Sequence, residues 1–115
     1  MARDRTAIGL TPESIRVSER LVTELRWFAE GQDLGRLALA YAIENQVGEG
    51  AASNTETRWT ESLFDKTGEI RALIASVYPS CETPVRQMEY LVNEGLRLLG
   101  QKLTDSATTP SDLLT

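Results

Sequence analysis

The chain is 115 residues long, 41% hydrophobic and 25% charged, the size and composition of one ordinary globular domain. It has no histidine and one cysteine, which excludes Ser-His and Cys-His dyads, an internal disulfide and a cysteine-based zinc site within one chain. With 12 Lys+Arg against 17 Asp+Glu, the net charge of −5 is a poor start for a protein that must hold DNA alone.

No apolar run approaches the ~20 residues of a membrane span. Arg3, Asp4 and Arg5 lead into no signal-peptide core. No membrane contact and a cytoplasmic location are therefore expected. The charge is unevenly spread: residues 1–36 carry six arginines against six acids, and residues 37–115 carry all of the excess negative charge. Ten of the twelve cations are Arg, the side chain suited to bidentate contacts with phosphate or carboxylate.

Residues 1–13 read as a flexible arm that Thr11-Pro12 closes, since the residue before proline is biased towards extended backbone. Ser14-Ile15-Arg16-Val17-Ser18 alternates apolar and polar and predicts a short strand. A lone strand cannot stand, so it must pair, for instance with its copy in a second chain. Ser18 is placed to cap a first helix whose apolar stripe is Leu21, Val22, Leu25, Phe28 and Ala29, with Gly31 ending it. Asp33 opens a second helix through Leu34, Leu37, Ala38, Leu39, Tyr41, Ile43 and Val47, apolar nearly all round. Leu37, Leu39, Tyr41 and Ile43 cannot all face one core, which predicts a homo-oligomer or partner interface on that helix.

The stretch from Gly48 to Glu56 is a loop by composition, and Thr57–Thr60 a second extended piece. Thr67-Gly68 leads into a third helix with Ile70, Leu73, Ile74, Val77 and Tyr78 inward, stopped by Pro79. Thr83 caps a fourth, with Pro84 at its first position, running to Leu103. Gly95 in its middle costs ~1 kcal/mol relative to Ala, so a close packing contact is expected there. Residues 104–115 form a tail whose Leu113 and Leu114 could dock as a last turn. The expected fold is mainly α, about four helices with a short N-terminal strand, as one helical domain over 14–103. Residues 15–21 and 57–63 also share Arg, a hydroxyl residue, Glu and Leu, a weak sign of duplication.

Strand-helix-helix with Arg at the strand centre is the plan of a ribbon-helix-helix unit, in which Arg16 would read the major groove. The second helix would offer amides to a phosphate around Gly31 and Gly35. Arg16 reads equally as an edge-strand charge that blocks aggregation. Cys81, beside Glu82, reads as a quiet, partly buried thiol, and Trp27 and Trp59 as core or interface. No phosphate-binding loop, dinucleotide fingerprint or cluster of metal-binding acids is present, so neither catalytic residues, cofactor nor metal are expected.

The order of these pieces has a counterpart. Arg16-Val-Ser-Glu19, the glycine turn at Gly31 and the apolar helix Leu37–Ile43 lead through a polar loop to Leu63-Phe64-Asp-Lys-Thr-Gly68. A late Leu91-Val-Asn-Glu-Gly-Leu-Arg-Leu-Leu99 then precedes Ser111-Asp-Leu-Leu114. Over residues 14–114 this resembles the DndE family of DNA phosphorothioation (sulfur modification) systems. Leu91 stands where that family often has His, Glu94 where it often has Arg, and Gln32-Asp33-Leu34 replaces its threonine-proline. The resemblance implies a non-catalytic accessory subunit that positions DNA, including nicked duplex, and bridges sulfurtransferase-like and ATPase-like partner subunits. Arg16, Arg20, Arg26 and Arg36 are the expected DNA contacts, with weak affinity for the isolated chain. The alternatives are a ribbon-helix-helix repressor or antitoxin, and an adaptor that touches only protein.

Overall fold

Thr11 and Pro12 start a helix rather than close an arm. The computed structural model describes residues 3–24 and 31–105. Within them the Thr11 hydroxyl accepts the Ser14 amide at 3.1 Å, and Pro12 takes the first helical position. Helix α1 therefore spans Pro12–Glu19, over the segment whose alternation predicted a strand. The N-cap signal outweighs two alternating β-branched residues, and burial follows a helical spacing, with Ser14, Ser18 and Leu21 inward. Ser18 lies inside α1, so it is not a cap. A π-helical turn, Arg20–Glu24, continues from it, and the stripe residues Leu25, Phe28 and Ala29 lie outside the described residues.

The short strand does exist, seven residues earlier. β1 is Ala7–Leu10, in what the sequence suggests is a flexible arm, and its Ile8 and Leu10 are fully buried. Its partner is not a second chain. It pairs antiparallel with β2, Glu56–Thr60, with Ala7 opposite Thr60 and Leu10 opposite Glu56. The register shifts between Ile8 and Gly9, a bulge. A Cβ at Gly9 would meet the Glu56 carbonyl and the Thr55 side chain at 2.9 Å, so the close approach there requires glycine.

Helix α2, Gly31–Glu44, includes the glycine expected to end the preceding helix. Beyond β2 come α3 (Glu61–Phe64), α4 (Glu69–Val77) and α5 (Pro84–Asp105), which absorbs the first residues of the expected tail. The docked turn at Leu113-Leu114 lies outside the described residues. The fold is mainly helical, with one two-stranded sheet among the described residues. Residues 15–21 are helical while 57–63 run from strand into helix, so the sequence echo has no structural counterpart.

α2 packs along α5 at the centre of the fold. At the crossing, Gly95 meets the Ala38 backbone, the close contact its mid-helix position predicts. Around it the core gathers Ile8 and Leu10 of β1, Leu21, Leu34, Phe64, Ile74, and Val85, Met88, Leu91, Val92, Leu96 and Leu99 of α5. Burial of so many large side chains, at ~25 cal/mol per Å² of apolar surface, is what offsets the chain's conformational entropy.

Two expectations about faces change. Leu39 is buried, and Leu37, Tyr41 and Ile43 are half-buried against the same core, so α2 holds no bare apolar row. α5 covers one side of the helix, and Trp59 and Phe64 lie against Gly31 and Gly35 on it, an arrangement that a one-dimensional pattern cannot register. On α4, Ile74 and Tyr78 point inward, whereas Leu73 and Val77 are each 41% exposed. Cys81 packs partly buried against the core, as expected.

Candidate functional site

α5 carries three buried polar side chains among its apolar ones, and each holds a distant segment. Gln87 accepts the Gly50 amide at 3.0 Å and donates to the Gly48 carbonyl at 3.0 Å. Glu89 accepts the Gly9 amide at 2.9 Å and the Thr55 hydroxyl at 3.2 Å, and pairs with Arg5 at 3.3 Å. Asn93 donates to the Gly9 carbonyl at 3.0 Å and accepts the Thr11 amide at 2.9 Å. The strand, α1 and Thr55 are thereby fixed by Glu89 and Asn93, and the loop at Gly48 and Gly50 by Gln87. Buried polar groups cost several kcal/mol unless bonded, so these partners specify where the segments lie. Among the described residues, Glu89 Oε1 is buried without a hydrogen-bond partner.

The end of α5 is capped from the same N-terminal segment. Asp4 accepts the amides of Val85 (3.1 Å) and Arg86 (2.9 Å), groups that a helix start leaves free. Thr83 contributes only its carbonyl, to Gln87. The sequence-based cap is therefore replaced by a carboxylate 81 residues away. A negative charge also suits the helix dipole there.

Between α1, α5 and the loop lies a cleft of about 480 Å³, lined by Glu13 and Arg16 of α1, Ala51, Ala52 and Ser53 of the loop, and Tyr90, Glu94 and Arg97 of α5. Arg97 is held by Glu94 at 3.1 Å; that bond and the Glu94 charge, with Glu13 across the cleft, raise its pKa above the ordinary guanidinium value. Arg16 is exposed and forms no ion pair among the described residues. Arg20, one turn further on, is exposed on the same side of the helix.

The other expected contacts go elsewhere. Arg36 is occupied: its Nε donates to the Phe64 carbonyl (3.0 Å), its Nη2 to the Leu63 carbonyl (3.2 Å) and its Nη1 to Asp33 (2.8 Å). It also lies 5.7 Å over the Phe64 ring. It therefore closes the C-terminus of α3 as a structural cation. Gly31 and Gly35 make room for aromatic rings rather than for a phosphate. A Cβ at Gly35 would meet Phe64 at 3.0 Å and Trp59 at 3.1 Å, and these two rings stack 5.6 Å apart. Trp59 is thus a packing residue, while Arg26 and Trp27 lie outside the described residues.

Sequence reasoning missed Tyr90, Arg97 and the three buried polar residues. The signal was present: Gln87, Glu89 and Asn93 interrupt an apolar helix at positions where a surface-only polar face would not put them. Among the described residues no group of His, Cys, Asp and Glu is arranged to hold a metal ion, and no helix is long and apolar enough to cross a membrane. Comparison with family models, with curated proteins and with solved structures finds no match to this chain.

Proposed function

We propose that this chain is a non-catalytic accessory subunit of a DNA sulfur-modification assembly, positioning DNA beside sulfurtransferase-like and ATPase-like partners. The motif resemblance to the DndE family motivates the reading. The structural observation that carries it is Arg16: an exposed guanidinium, unpaired among the described residues, at the mouth of a cleft backed by α5. A cation left open to solvent beside a concave surface suits a phosphate, which arginine binds bidentately.

The ribbon-helix-helix alternative loses its support. Arg16 sits on a helix, and the N-terminal strand is already paired within its own chain. Neither feature allows Arg16 to project from an intermolecular ribbon into a major groove.

Fluorescence anisotropy with a nicked duplex at 50 and 200 mM salt tests the reading. The parent should bind weakly at the lower salt and lose affinity steeply at the higher, because phosphate contacts release counterions. Arg16→Ala/Arg20→Ala should weaken binding and flatten the salt slope by about one unit per lost contact. No binding by the parent at 50 mM salt would sink the DNA-positioning role.

A further inference from the structure

Arg86, Tyr90 and Arg97 point within about 40° of one another around α5, because residues eleven apart on an α-helix return to nearly the same direction. Eleven residues span about 16 Å along the axis. The N-terminal segment follows this row. Arg86 donates from Nη2 to the Arg3 carbonyl at 3.1 Å, Arg5 meets Glu89 one turn on, and Asn93 holds Thr11, from which α1 carries Arg16 to the cleft beside Arg97.

The acids on this side are mostly engaged. Asp4 is taken by the α5 amides, Glu89 is buried against Arg5 and Gly9, and Glu94 is paired with Arg97. Glu13 remains. Arg3, Arg16 and Arg86 form no ion pairs among the described residues. A protein of net charge −5 thus carries, along one edge, a row of cations beside which most carboxylates are engaged, with Glu13 and the exposed Glu82 as exceptions.

Resting on the DNA-positioning reading, we propose that this row is a contact for a DNA phosphodiester backbone, with Arg3 and Arg86 holding phosphates at one end and Arg16 at the other. Such contacts set the register of the protein on the duplex without reading sequence. Neither Arg3 nor Arg86 is among the contacts expected from the sequence, Arg16, Arg20, Arg26 and Arg36.

The same anisotropy titrations, with nicked duplex as the probe, separate this proposal from the reading it rests on. Arg3→Ala/Arg86→Ala should make the loss of affinity between 50 and 200 mM salt about tenfold smaller than in the parent, as expected for two contacts each adding ~0.9 to the slope. Arg3→Ala/Arg86→Gln, which keeps a side-chain donor for the Arg3 carbonyl, should behave alike, and circular-dichroism melting verifies that both variants fold. Lys66→Ala, on the turn after α3, should match the parent. Suppose Arg3→Ala/Arg86→Ala keeps the parent's slope while Arg16→Ala/Arg20→Ala flattens it. The row is then wrong, DNA positioning stands, and Arg3 and Arg86 serve a protein contact. An equal loss in Lys66→Ala would also overturn the row, as diffuse charge. A parent that binds nothing at 50 mM salt overturns both.

Discussion

Gly95 of α5 and Ala38 of α2 meet backbone to backbone, so that any Cβ at position 95 would collide with the Ala38 carbonyl. Gly95→Ala should gain up to ~1 kcal/mol of helix propensity and lose more by forcing the two central helices apart, where overpacking costs ~1–3 kcal/mol. Urea unfolding should show net destabilisation. Gly100, where a Cβ would meet only the Val17 side chain at 3.1 Å or more, is the internal comparison. Gly100→Ala should be near neutral or stabilising, and equal destabilisation of both variants would contradict the account.

The N-terminal segment should detach in steps that its partners define. Asp4→Ala removes the α5 cap and should cost ~1 kcal/mol. Asn93→Ala strands the Gly9 carbonyl and the Thr11 amide and should cost ~1–3 kcal/mol. Glu89→Ala should be worse than Glu89→Gln, because glutamine still offers an acceptor to Gly9 and Thr55. Hydrogen exchange read by mass spectrometry should show faster exchange in residues 7–11 in each case, with α2 little changed. Unaltered exchange there would mean that β2 alone holds the strand.

Arg36 is expected to matter for folding and not for DNA. Arg36→Ala removes three hydrogen bonds and the contact over Phe64. The bonds to the α3 carbonyls are partly shielded, which supports a cost of ~1–3 kcal/mol; the Asp33 pair is exposed and adds little. The salt slope of duplex binding should stay at the parent's value. A flattened slope with unchanged stability would return Arg36 to the DNA-contacting set.

Tyr78 gives the fold an alkaline sensitivity. Its hydroxyl donates to the Val47 carbonyl at 2.6 Å. Burial, chiefly, with the nearby Glu49 charge and Tyr90, pushes its pKa above the usual ~10, although the neighbouring Gln87 amide pulls the other way. A raised folded-state value means that the native chain keeps a proton which the unfolded chain releases. Stability from this group is therefore complete below about pH 10 and is lost as pH climbs through the higher native value. Tyr78→Phe should cost ~1 kcal/mol near neutrality and flatten the decline above pH 10, as followed by urea midpoints across that range.

The parts of the fold legible in the sequence are those written locally. Pro84 at a helix start, Gly68 before α4, the apolar periodicity of α5 and the mid-helix Gly95 each carry their meaning within a few residues. The β1 strand was hidden because Ala7-Ile8-Gly9-Leu10 is too short to show a period, and Thr11-Pro12 is ambiguous between stopping an extended segment and capping a helix. The site was less legible still. What positions Arg16 is a set of bonds from Glu89 and Asn93 to backbone atoms more than 75 residues away, and backbone atoms leave no mark in an amino-acid pattern. The partners of Arg36 are illegible for the same reason, since they are carbonyls of α3.

The stitching of residues 4–11 onto α5 sets an order of events during folding. Neither the capping of α5 by Asp4 nor the seating of Ile8 and Leu10 can happen until residues 85–93 exist and have coiled. Such large sequence separations slow the search relative to a bundle of sequential helix pairs, because loop closure is unfavourable before the contacts reward it. During synthesis the apolar strand therefore emerges early and waits, exposed, for nearly the whole described domain to follow. Pulse-labelling hydrogen exchange should find protection in α2 and α5 before protection at residues 7–11. A strand made before every partner it needs is then the last to be locked.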